Sequence, residues 1–343
     1  MHGSRRFCAS ASFSALLVVA CRSESPPPAR EAPDAAALAA TALTSAERTT
    51  AAPEATDVPR SGDAALAAVD PYLAAAPVSA RSVGHTSYVL KVRLDNGLVV
   101  AFKARSKLPL GDRRYRGEIA AYRMARALGL GNVPVAMPRA FVAAELRRAF
   151  PTPEGAQDFD RRALVDGDGT IHGALIPWIA QYRELPIEAG EARARWEHWL
   201  TDAAPEIGDG DRATARAIST LLAFDYVTAN WDRWSGGNVA QDGATGTLLY
   251  VDNDGAFYES PPQDALARQL ALLRRVRRFS RSFVAALRAL DASAIRDFLG
   301  SDLEGDLLPA RVVADADARR QTVLATIDQQ IQRAGESATL VFE

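Results

Sequence analysis

The sequence predicts an α+β fold of two lobes, a small sheet lobe followed by a mainly helical one. Three observations lead there. Residues 87–105 read "SYVLKVRLDNGLVVAFKAR", two apolar, β-branched runs joined by Asp95-Asn96-Gly97, and Asn-Gly between such runs is a strong hairpin signal. From about residue 190 the apolar residues recur at helical spacing. Strands with one helix come first and helices follow, which is the segregated order of an α+β chain.

The first element is an address. "MHGSRRFCASASFSALLVVAC" places Arg5 and Arg6 before an apolar stretch and small residues, the layout of a secretory signal. Its end, "LVVAC", resembles the bacterial lipobox, so residues 1–21 are expected to be a lipoprotein signal, with Cys21 acylated and first in the mature chain. Export with a lipid anchor in the bacterial envelope follows, and that anchor is the expected membrane contact. Residues 22–80 are dominated by Ala, Pro, Ser, Thr and Glu. Such a segment buries too little apolar surface to offset its chain entropy and is expected to be a tether, with the folded part starting near Val78. The sheet lobe is assigned to 81–180 and the helical lobe to 181–343.

After the hairpin, "RYRGEIAAYRMARALGLG" (114–131) carries an apolar stripe of Ile119, Tyr122, Met124, Ala125 and Leu128, with Gly129 and Gly131 as candidate C-caps. "NVPVAMPRAFVAAEL" reads as one or two strands, 151–170 as a loop or hairpin, and "IHGALIPWIA" (171–180) as a buried strand running into a connector. Helices are expected at 191–202 and 211–229, from the spacing of Trp196, Trp199 and Leu200 and of Ile218, Leu221, Leu222 and Phe224. "GTLLYVDN" is a short strand, and 263–275, 278–290 and 309–334 are further helices.

Composition narrows the function. A formal net charge of −2 in 343 residues gives no global basic field for nucleic acid. Both cysteines, Cys8 and Cys21, lie near the N-terminus, and the four histidines are scattered, so neither a disulfide framework nor a zinc site is expected. The basic run 267–282 interleaves Arg with Leu, Val and Phe; it reads as a solvated helix face or as a surface for acidic acceptors or anionic lipid.

Four polar features stand in chain order: Lys103 at the end of a strand, Glu118 on the next helix, Asp232 in "NWDR" with Asn238 nearby, and Asp252 in "YVDN". Phosphoryl transfer needs these types. A strand-borne Lys binds phosphates, a helix-borne Glu orients it, a loop Asp takes or aligns the acceptor proton, and an Asp with an Asn holds Mg²⁺ or Mn²⁺ against ATP. "DNDG" also opens like a calcium loop, but no downstream acids complete that pattern.

These stretches resemble a family. "GEIAAYRMARALGLGNVPV" is similar to the Glu-bearing helix of the atypical secretory kinases, the four-jointed and Golgi casein kinase group with the related bacterial spore-coat kinases. "VVAFKAR", "FDYVTANWDRWSGGN" and "LLYVDNDGAF" resemble that group's Lys strand, catalytic loop and metal loop, and together they cover roughly residues 83–260. The resemblance implies that Lys103 binds phosphates, Glu118 pairs with it, Asp232 is the catalytic acid–base residue and Asp252 a metal ligand. It makes Gly84, in "SVGHTSY", part of the phosphate loop. Ile176 and Trp178, in "ALIPWI", become the connector that contacts adenine through its backbone, and Asp225 and Asn230 buttress the catalytic loop. The acceptor implied is a hydroxyl of a protein, glycan or small molecule. Some features depart from the pattern: Ala104 stands in place of Pro, Trp234 stands where many relatives have His, the disulfides of the animal relatives cannot form, and Asn238 lies six residues after Asp232 rather than five, behind Gly236 and Gly237. Glycine accepts positive φ and can absorb the extra residue. A silent nucleotide-binding module on the same fold, or one that transfers AMP, is the alternative.

Overall fold

The hairpin forms as its sequence dictates. In the computed structural model, which describes residues 71–84, 86–203 and 205–343, β2 (Val89–Leu94) pairs antiparallel with β3 (Val99–Ala104). Gly97 closes the turn at φ 88°. With β1 (Pro77–Ser82), β4 (Met137–Val142) and β5 (Thr170–Pro177) they make a five-stranded sheet in the order β1-β2-β3-β5-β4. Strand alternation puts Leu90, Val92, Val100 and Phe102 into one buried face. Lys103, next to Phe102, faces the other way, toward helix α1 (Arg114–Ala127).

The helical lobe follows: α4 (Gly190–Thr201), α5 (Asp209–Thr228), α6 (Gln263–Leu273), α7 (Arg281–Ala289), α8 (Ala292–Leu299) and α9 (Ala310–Ala334). A short sheet, β6 (Tyr182–Glu184), β7 (Val239–Asp242) and β8 (Leu248–Tyr250), lies among them in sequence. Two apolar clusters correspond to the two lobes. One gathers Leu90, Val100, Phe102, Phe141 and Leu175 around the sheet. The other joins Trp196, Leu221, Phe224, Val284 and Ile327 of the helices and also takes Ile119, Met124 and Ala125 of α1. The helix that carries Glu118 is therefore seated in the helical lobe's core while its charged residue reaches the sheet.

Several sequence expectations are corrected. "AAEL" is not strand: β4 ends at Val142 and α2 (Ala143–Arg148) begins at once. The expected loop or hairpin at 151–170 contains α3 (Pro153–Arg162), capped by Thr152 with Pro153 in its first turn; only Phe159 of this helix is buried, so no apolar stripe announced it. Helix α8, capped by Asp291, adds an element between the helices expected at 278–290 and 309–334. Packing also begins earlier than Val78, because Tyr72 and Ala75 are buried in the sheet lobe's cluster. The signal sequence, Cys21 and the tether up to residue 70 lie outside the described residues. Among the described residues no helix is long and apolar enough to cross a membrane.

Candidate active site

The geometry starts at Lys103. Its Nζ lies 2.5 Å from Glu118 Oε1, 2.5 Å from Asp252 Oδ1 and 3.4 Å from Asp254 Oδ2. Strand β3, helix α1 and the turn after β8 thus meet at one ammonium. Three carboxylates around one amine decide the electrostatics. Burial works against the Lys103 charge, but Asp252, Glu118 and Asp254 outweigh it and hold the ammonium well above its usual range. Burial raises Glu118, Lys103 opposes it, and the two aspartates add to it. Asp252 is lowered because Lys103 outweighs the partial loss of solvent around its half-exposed carboxyl. The three acids differ in access. The side chain of Asp252 is 45% exposed, against 5% for Glu118 and 2% for Asp254. Asp252 faces solvent and the other two back the lysine.

Asp254 is a site residue that the sequence reading missed, together with Ser87 and Arg114. The Ser87 hydroxyl donates to Asp254 Oδ2, and Arg114 Nη1 lies 3.1 Å from Ser87 Oγ and 3.5 Å from Asp254 Oδ1. The signals were present. Asp254 is two residues past Asp252, and Arg114 is one helical turn before Glu118, on the same face. Ser87 brings the β1–β2 connection to the site. Gly84, in the same connection, gives its carbonyl to Arg162, and a Cβ there would meet the Ser87 carbonyl at 2.4 Å.

Asp232 reaches this group from the loop after α5. Gly255 fixes the approach, since a Cβ on it would lie 3.1 Å from Asp232 Cβ and 3.0 Å from Asn230 Oδ1. The Asp232 carboxyl is raised by burial, with Asp252 and Asp254 adding to the shift. Asn238 Nδ2 donates to the Asp232 carbonyl at 2.8 Å and to Ser235 Oγ at 3.2 Å. Gly236 and Gly237 take φ of 101° and 74°. Ile176 pairs with Ala101 in the sheet. Trp178 gives its backbone N–H to the Val99 carbonyl and packs its ring under Lys91 Nζ.

Arg233 is the strut. Its neighbour Asp232 is not its partner. Its Nε lies 3.2 and 3.0 Å from the two Asp225 oxygens. Nη1 donates to the carbonyls of Asn238 and Val251, each at 2.5 Å, and Nη2 to Asn253 Oδ1 at 2.6 Å. Asn253 in turn gives its backbone N–H to Glu118 Oε1 at 2.9 Å. One buried guanidinium therefore ties α5, the Asp232 loop and the Asp252 turn into a unit that ends on Glu118. Asn230 gives its backbone N–H to the Asp225 carbonyl and is fully buried, and both its side-chain polar atoms lack a hydrogen-bond partner among the described residues.

A second acidic group, Asp166, His172 and Glu304, has ligand atoms within 4.8 Å of one another. Arg105 Nη1 already stands between its carboxylates, 2.7 Å from Asp166 and 2.9 Å from Glu304, and supplies the positive charge there.

No family model matches the chain. In sequence it is similar to the glycosaminoglycan xylosylkinase of Danio rerio, 25% identical, with 80% of this chain and 78% of the relative covered. In structure it is similar to the Golgi casein kinase (TM-score 0.59, 14% identity, 80% of this chain and 79% of that one) and to that kinase with Mn/ADP bound (0.60, 15%, 80% and 78%). The hydra Fam20 structure with sugar matches at 0.61 and 15%, over 82% and 93% of the two chains. With two lobes meeting at Lys103, Glu118 and Asp252, the chain has the kinase-like fold of the Golgi casein kinase and hydra Fam20 structures.

Proposed function

We propose that this chain is a kinase, a phosphotransferase that uses ATP with Mg²⁺ or Mn²⁺ to phosphorylate a hydroxyl of an exported protein, glycan or small molecule. The observation that carries the reading is the meeting of Lys103, Glu118, Asp252 and Asp254 at one point, with Asp232 brought against it through Gly255. Lys103 is the phosphate-binding cation, and Glu118, anchored by the Asn253 N–H, keeps it aimed. Asp232, on the other wall, takes the proton of the acceptor hydroxyl at its carboxylate.

The residues fit a divalent cation. Glu118, Asp232, Asp252 and Asp254 bring four carboxylates against Lys103 and Arg114, the nearby Arg233 being neutralised by Asp225, an excess of negative charge made of hard oxygen donors. Asp252 would hold the ion, with Asn238 as the amide candidate. Bound there, the metal supplies charge neutralisation for the phosphate oxygens. The protein's own share is positioning and electrostatics.

The assay is transfer from ATP labelled at the γ-phosphate, with Mg²⁺ or Mn²⁺, into envelope extract. Asp252→Ala and Asp232→Ala should each lower it by about 10²-fold or more, and chelation should abolish it. Transfer equal to wild type in Asp252→Ala would sink the proposal. Label incorporated from the α- but not the γ-phosphate would replace phosphoryl transfer with AMP transfer. We further infer export with anchoring through Cys21, and fatty-acid labelling lost in Cys21→Ser is the check.

A further inference from the structure

The basic run 267–282 resolves into distinct roles. Arg278 is buried and spends its guanidinium on the carbonyls of Trp199, Asp202 and Ala203. Arg268 pairs with Asp264 and Arg281 with Glu336. Arg274, Arg275 and Arg277 remain exposed, and Arg333 of α9 joins them around a depression of about 420 Å³ that has no acid in its lining. Among the described residues the side chains of Arg274, Arg277 and Arg333 have no partner, and Arg275 has only Glu197 at 3.5 Å. Clustered like charges with one distant counter-charge among them favour a polyanion.

Arg275 also lines a second depression, of about 430 Å³, with Trp231 and Trp234 on its wall. These tryptophans bracket Asp232 in the sequence. The two depressions are neighbours that share Arg275, one lined by the basic cluster and the other by residues that flank Asp232 in the candidate catalytic loop. Their walls are helix and turn residues, so an extended peptide finds no strand edge to pair with. Indole faces beside guanidinium donors suit the apolar faces and hydroxyls of sugar rings.

We propose that Arg274, Arg275, Arg277 and Arg333 form an exosite for an acidic polysaccharide, whose chain runs past Trp231 and Trp234 toward Asp232. The exosite rests on the phosphotransferase reading only for the role of its Asp232 end.

The test is binding of the full chain to polygalacturonate at rising salt, with dextran, polyglutamate and phosphatidylglycerol vesicles as comparators. Polygalacturonate should bind, and binding should fall steeply with salt. The Arg274→Ala/Arg277→Ala/Arg333→Ala variant should bind at least tenfold more weakly, with an unchanged thermal shift on adding ATP and Mn²⁺. The corresponding triple Lys variant should retain most of the binding. Equal binding by the alanine variant would overturn the exosite. Equal or tighter binding of polyglutamate or of the vesicles would overturn the polysaccharide as its occupant. Because the readout needs no catalysis, intact binding without phosphate transfer would count against the kinase reading alone.

Discussion

Replacing Arg233 by Lys keeps the charge and removes the fork. Arg233 is 2% exposed and makes five contacts at 3.2 Å or less, to Asp225, Asn238, Val251 and Asn253. A lysine ammonium has three donors at one point and cannot span partners on three separate segments. At least two contacts are lost. At about 1.5–3 kcal/mol for each charge-assisted hydrogen bond, the expected loss is about 3–6 kcal/mol, in line with about 3–5 for breaking a buried ion pair. Against a typical stability of about 5–15 kcal/mol this is a large fraction. Urea denaturation followed by tryptophan fluorescence measures it. Phosphate transfer by the remaining folded protein should fall by about 10²-fold, because misplacing Asp232 against Asp252 by about 1 Å costs that much. A variant within about 1 kcal/mol of wild type and fully active would refute Arg233 as the element holding the two loops in register.

Other changes separate positioning from stability. Glu118→Gln keeps the shape and an acceptor for the Asn253 N–H but removes the charge facing Lys103; transfer should fall by about 10–100-fold, and a variant as active as wild type would show that Lys103 needs no ion pair. Gly255→Ala puts a methyl 3.0 Å from Asn230 Oδ1 and 3.1 Å from Asp232 Cβ, so about 1–3 kcal/mol of overpacking strain is expected with transfer lowered at least tenfold; unchanged kinetics would mean the loops yield freely. Asp225 is pushed up from 3.8 to about 6 by burial, against the pull of Arg233. Its folded value exceeds its unfolded one, so between about pH 4 and 6 the native state keeps a proton that the unfolded chain gives up, and this group's contribution to stability falls across that window and is flat above it. The decline should disappear from the pH profile of Asp225→Asn in urea titrations, and an unaltered profile would rule out Asp225 as its source.

The sequence by itself determined which residue types are available and on which elements they lie. The Asn-Gly turn and strand alternation put Lys103 on a strand face opposite Phe102, and helical spacing put Glu118 on α1, because such signals depend only on near neighbours along the chain. The two-lobed α+β order was legible for the same reason. Helix α3 was not, because Thr152 and Pro153 cap a helix that buries little apolar surface. The tertiary structure decided the partners. The fold joins Arg233 not to its sequence neighbour Asp232 but to Asp225 and to the turn after β8. It brought Asp254, Ser87 and Arg114 to Lys103 from three separate segments. It also divided one basic run into a buried strut, two ion pairs and an exposed cluster. A side chain's partner is set by burial and by which segments pack together, and those long-range contacts leave no local periodicity to read.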